Sequence, residues 1–124
     1  MLDHVTLAVS DFARSKAFYD QALKPLGIAP LFELANAYVG FGEGQRPYFW
    51  IGVRPPVTSG AHVAFIAPDR ATVDAFYQAA LAAGGRDNGA PGVRAHYHPN
   101  YYGAFVFDPD GHNIEAVCHS PPDA

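Results

Sequence analysis

The chain repeats itself. Displaced by 58 residues, "DHVTLAVSDFARSKAFYDQALKPLG" (Asp3 to Gly27) lies over "AHVAFIAPDRATVDAFYQAALAAGG" (Ala61 to Gly85) without a gap, and ten of the 25 pairs are identical. His4 falls on His62, Asp11 on Asp69, and Phe18-Tyr19 on Phe76-Tyr77. One supersecondary unit is therefore used twice, which restricts the fold to a paired architecture. Each copy opens with alternating apolar residues, Val5, Leu7 and Val9 or Val63, Phe65 and Ala67, as a half-buried strand requires. Each then enters a helix with an acidic cap candidate, Asp11 or Asp69, and an apolar stripe. Gly27 or Gly84-Gly85 supplies the stop.

Short strands separated by turn signals follow each helix. In the first half they are read at 31–34, 37–41 and 48–53; in the second half at 93–98, 102–107 and 113–118. "DPDG" joins the last two, with Pro109 and Gly111 suited to the second and fourth positions of a type I turn. The expected fold class is α+β: two βαβββ modules, residues 1–53 and 61–119, form a cupped mixed β-sheet with helices outside. The linker is "RPPVTSG", residues 54–60, and a length of 124 residues suits one domain, 1–124.

Strand parity singles out three polar residues. If Val5, Leu7 and Val9 face the helices, His4, Thr6 and Ala8 face away; His62 and Glu115 sort the same way. Should the sheets curve, that second face is the inside of a trough, where two imidazoles and a carboxylate make a divalent-metal set with open positions. Glu115 stands between Ile114 and Ala116, so it is either solvated or a buried charge with a partner. Tyr48 and Trp50 share a face and line either a pocket or plain core. In "HYHPNYY", a strand would place His96 and His98 together, with Tyr101 and Tyr102 following; the segment is a pocket wall or an exposed rim. His112, in the turn, is expected to be exposed, and Cys118 to be a buried small residue.

Composition excludes several classes. With 8 Lys and Arg against 12 Asp and Glu, and no basic stripe, nucleic acid is not an expected partner. No apolar run has the length to span a bilayer, and "MLDHVTLAVS" lacks the features of a signal peptide. One cysteine rules out an internal disulfide and makes a reducing cytoplasm the default location.

Three stretches, "DHVTLAVSDFARSKAFYDQAL", "AHVAF" and "YYGAFVFDPDGHNIEAVCH", resemble the vicinal oxygen chelate superfamily, the glyoxalase, bleomycin-resistance and extradiol-dioxygenase group. The resemblance implies metal ligands on the inner strand faces at His4, His62 and Glu115. It also implies one divalent ion (Fe, Mn, Zn, Ni or Co), a small oxygen-chelating substrate and a homodimer, in which some relatives build each site from two chains. Glyoxalase I–type enzymes place a fourth ligand on the last strand of the first module, where this chain has Trp50 to Gly52. The three-ligand set looks like extradiol dioxygenases and fosfomycin-modifying transferases, the latter also at Thr6 in "HVT". The closing "AVCHSPPDA" carries no Lys or Arg for a phosphonate, which disfavours the transferases.

On this reading Glu115 and His98 are the candidate catalytic groups, with His119 a further imidazole near the end of the strand. Thr6, Tyr48, Trp50, His96, Tyr101 and Tyr102 line the substrate pocket. The function implied is a metal-dependent lyase, isomerase or dioxygenase; the alternative is a metal-free binder of the bleomycin-resistance type.

Overall fold

Two aspartates start the helices. Asp11 lies in extended backbone and accepts from the amide of Arg14 at 3.0 Å; Asp69 accepts from the amide of Thr72 at 2.8 Å and from its hydroxyl at 2.7 Å. Each satisfies an amide that the first helical turn leaves without a partner. The bonds from Thr72, hydroxyl first, hold the Asp69 carboxyl below its ordinary range. The first helix ends at Leu23 in right-handed backbone and Gly27 (φ 77°) closes the 3-10 turn after it, while Gly84 (φ 101°) follows the second helix; at both glycines an L side chain would be strained.

The computed structural model describes residues 1–122, so the last two positions of the expected 1–124 domain lie outside the described residues. In chain order the elements are β1 (Val5–Ala8), α1 (Phe12–Ala22), a 3-10 turn (Lys24–Leu26), β2 (Ala29–Leu34), β3 (Tyr38–Glu43) and β4 (Arg46–Gly52). Then come β5 (His62–Ile66), α2 (Arg70–Ala82), β6 (Arg86–Val93), β7 (Tyr102–Phe107) and β8 (Asn113–Cys118). The sheets have the orders β1-β4-β3-β2 and β5-β8-β7-β6. In each, the first strand runs parallel to the last and the other pairs are antiparallel, giving βαβββ twice and no closed barrel. No helix of the described residues is long and apolar enough to cross a membrane.

One face of each sheet meets the helices. Phe18 and Tyr19 of α1 and Val73, Phe76 and Ala80 of α2 are fully buried in one core with strand residues such as Phe41, Ile51, Val106 and Ile114. Burying each large apolar side chain contributes about 1.5–3 kcal/mol. Edge-to-face rings at 5.1 Å, Tyr19 on Phe49 and Phe49 on Phe65, carry the core from the first module into the second.

The second strand of the second module departs from expectation. It is Arg86–Val93, not 93–98; Arg94 to Tyr101 form a loop closed by the Arg94 amide donating to the Tyr101 carbonyl at 2.7 Å. Bulges after Asp87 and Gly89 let "RDNGAPGV" pair despite two glycines and a proline. His112 is also a correction: it is 2% exposed. The Ala61 amide donates to its Nδ1 at 3.3 Å, so Nε2 carries the hydrogen and donates to the Ala8 carbonyl at 3.1 Å. Around it, buried Asp108 accepts from Tyr19 Oη at 2.5 Å and from the His112 amide at 2.8 Å, while Asp110 accepts from the Ser10 hydroxyl at 2.6 Å. Burial, then the Asp108 charge, pushes the Tyr19 phenol well above its ordinary pKa. The "DPDGH" turn thus pins the end of the second module to the β1–α1 junction of the first.

Candidate functional site

The faces turned away from the helices carry the candidate chemistry. On β8, Glu115 is paired in register with Ala64 of β5 and Phe105 of β7, at the middle of the second sheet. Its neighbours Ile114 and Ala116 point into the core, so the period of two forces the carboxylate onto the trough face. Glu115 is only 1% exposed there, which a lone carboxylate would not tolerate. Two side chains explain its burial. His62, at the start of β5, donates from Nε2 to Oε1 at 2.8 Å, and the Tyr101 hydroxyl donates to Oε2.

Gly103 gives Tyr101 its room. A Cβ at Gly103 would stand 3.2 Å from Glu115 Oε2 and 3.2 Å from the Tyr101 ring, so the absent side chain lets ring and carboxylate meet. Burial, then the bond to Glu115, raises the Tyr101 pKa, and the hydroxyl stays a donor across the physiological range. His62 remains half exposed, and its ring lies 6.2 Å from that of Phe105, so the pair is reached from the open side of the trough.

His4 precedes β1 and stands apart. Its Nδ1 donates to Asp3 Oδ2 at 2.7 Å, a bond that is also the first cause holding the Asp3 carboxyl below its ordinary range. The side chain is half exposed. His4 borders an intermodule groove of about 560 Å³ together with Tyr48, Glu43 and Val63 to Ile66, whereas His62 lies outside it. Among the described residues no three His, Cys, Asp or Glu side chains converge to hold a metal. One chain brings His62 to Glu115 and does not bring His4 to either.

The remaining sequence candidates divide. Thr6 is paired with Trp50, and Trp50 with Gly40, in one row across the first sheet; Phe32 packs edge-on against Trp50 at 6.0 Å. Since Ala64 pairs with Glu115 as Thr6 pairs with Trp50, the first-module counterpart of Glu115 is an indole, which supplies no ligand. Tyr48 donates to Glu43 at 3.2 Å, and burial, then Glu43, pushes its pKa up to about 12. Tyr101 joins the site, but Tyr102 turns to the helix-bearing face and donates to Asp74 at 2.6 Å. His96 and His98 are exposed on the 94–101 loop. His98 lies 5.8 Å, ring to ring, from His119, which in turn packs 5.3 Å from Tyr101, so these imidazoles rim the site. Cys118 is buried on the core face. Sequence reasoning passed over Arg94, whose guanidinium lies 5.3 Å from the Phe105 ring centre; its signal was a cation at the end of a glycine-rich strand.

Comparison with known proteins agrees with this architecture. The structure is similar to that of a glyoxalase/bleomycin resistance protein from Albidiferax ferrireducens T118, with 32% identity and a TM-score of 0.85 over 95% of this chain and 98% of that one. It is similar to a putative glyoxalase from Bacillus halodurans at 26% identity and TM-score 0.71, covering 95% of each chain. A lactoylglutathione lyase from Agrobacterium tumefaciens shares the fold at 20% identity and TM-score 0.67, over 95% of this chain and 92% of that one. No protein of curated function matches the sequence. The family model of the Glyoxalase/Bleomycin resistance protein/Dioxygenase superfamily matches residues 1–116, and the chain belongs to that superfamily.

Proposed function

We propose that the chain is a divalent-metal-dependent enzyme, a glyoxalase-like lyase or isomerase or an extradiol-type dioxygenase, acting on a small oxygen-chelating substrate. Its site combines His62 and Glu115 of one chain with His4 of a second copy in a homodimer, which we place in a reducing cytoplasm. The observation that carries this reading is the His62–Glu115 pair: a carboxylate 1% exposed, bonded to a half-exposed imidazole.

The donor set suits a metal. A nitrogen and an oxygen each about 2.1 Å from one ion, at a right angle, stand about 3 Å apart, close to the 2.8 Å between His62 Nε2 and Glu115 Oε1. His4, with its Nδ1–H bonded to a carboxylate, has the arrangement common to histidines that bind a metal through Nε2. A divalent ion held by the three would supply Lewis acidity toward a substrate oxygen. The chain's own groups do the rest. Tyr101 holds its proton against Oε2 and fixes the carboxylate, and Trp50 and Phe32 supply an aromatic surface on the other module. A metal on His62 Nε2 would take the place of the hydrogen that now meets Oε1, leaving Nδ1 to carry it.

Elemental analysis of protein purified without added metal, with titration of Mn, Fe, Co, Ni and Zn, tests the reading. The wild type is expected to bind one ion per chain and His62→Ala to lose it; a wild type that takes up none of these metals refutes the enzyme. One observation favours the alternative of a metal-free binder: both carboxylate oxygens of Glu115 already have partners within the chain. Under that reading ligand binding survives His4→Ala.

A further inference from the structure

Arg94 follows β6, opposite Tyr101 at the neck of the loop, and its guanidinium lies over Phe105, the register partner of Glu115 on the trough face. Three backbone carbonyls fix the guanidinium. Nη1 donates to Gly92 at 2.7 Å and Gly103 at 3.2 Å, and Nη2 donates to Ala90 at 2.9 Å. Glycines make the space: a Cβ at Gly89 would stand 3.0 Å from Nη2, and one at Gly92 would stand 3.1 Å from Nη1. The group rests on the Phe105 ring, which neighbours His62.

This cation has no acid. Among the described residues no Asp or Glu forms an ion pair with Arg94. A guanidinium carries five N–H donors, and the three bonds leave one on Nε and one on Nη2 without protein partners. Nε is not buried, because the only buried, unpartnered side-chain nitrogen or oxygen among the described residues belongs to Arg70, and the Nη2 bond to Ala90 lies at the exposed surface. Nε and Nη2 share an edge of the guanidinium plane, the fork that meets two oxygens of a carboxylate or phosphoryl group. Held beforehand by carbonyls, the group loses little freedom on meeting an anion.

We infer that Arg94 is an anion-binding subsite of the trough, receiving a carboxylate or phosphoryl group of the ligand on its Nε–Nη2 edge, beside the His62–Glu115 pair. The ligand is therefore an anion, whichever chemistry the trough performs.

The test uses full-length protein stripped of metal by a chelator, so that its result does not depend on the metal reading. Benzoate and phenylphosphonate are titrated against benzamide, which keeps the ring and removes the charge, while the Arg94 Nε–H resonance is followed by NMR. At least one of the two anions is expected to bind about tenfold or more tighter than benzamide and to move that resonance. The preferred anion assigns the group as carboxylate or phosphoryl. Arg94→Gln is expected to erase the preference, and Arg94→Lys to keep part of it. Equal binding of benzamide and both anions, or an unmoved Nε–H signal in the wild type, overturns the proposal whether or not the variants fold. Unchanged anion affinity in a folded Arg94→Gln protein overturns it as well.

Discussion

Replacing Tyr101 with phenylalanine removes one oxygen atom and nothing else from the site. Glu115 is 1% exposed, so its Oε2 would lose its hydroxyl donor in a place water scarcely reaches. A hydrogen bond to a charged group is worth about 1.5–3 kcal/mol, and a buried acceptor left unsatisfied costs about as much. Unfolding entropy for a chain of this length is about 0.26 kcal/mol/K, so a loss of 2 kcal/mol lowers Tm by about 8 °C. Denaturant unfolding of metal-free wild-type and Tyr101→Phe proteins gives the difference directly, with m unchanged if the fold is intact. In a Glu115→Leu background, where no carboxylate awaits a donor, the same change should cost under about 0.5 kcal/mol, a coupling that isolates the pair. A Tyr101→Phe protein within about 0.5 kcal/mol of wild type, or equal losses in both backgrounds, would refute the account of how Glu115 is buried.

Gly40→Ala tests the first module: its Cβ would stand 2.7 Å from the Trp50 ring, so the change should cost about 1–3 kcal/mol. A second change, Trp50→Ala, should recover much of that loss, and chemical denaturation of the two single variants and the double variant reads the relief. Alkaline titration by tyrosinate absorbance should show Tyr48 ionising near 12 against an ordinary value of 10.0. Its folded pKa is raised, so its contribution to stability is fully present below pH 10 and is lost as pH climbs through about 12. Glu43→Gln should bring that titration down, and an unmoved midpoint would remove Glu43 as a cause.

The sequence was most legible where local rules and tertiary packing agree. Alternation placed β7 and β8 at their observed bounds, and the two aspartate caps follow from repeated residues. Parity also put Glu115 and His62 on one face, since neighbouring strands share it. It failed for β6, because two bulges, Gly89, Gly92 and Pro91 look like loop; the paired strand exists because β7 supplies its hydrogen bonds. His112 looked like a turn residue and is buried because the other module closes over it, a contact 104 residues away in sequence. Tyr101 reaches Glu115 only over a glycine, and Arg94 is fixed by carbonyls that carry no sequence signal. His4 looked equivalent to His62 by repeat, yet equivalence between modules does not bring the two rings together in one chain.

The central claim is that the trough holds a metal between two chains, and mixing damaged chains tests it most directly. His4→Ala breaks one contribution and Glu115→Ala the other, and in a twofold dimer a mixed pair keeps one intact site. Co-refolded in equal amounts, the two variants should recover about a quarter of the wild-type metal content by elemental analysis, since about half the dimers are mixed and each holds one site of two. Metal content no higher in the mixture than in either variant alone would contradict the account.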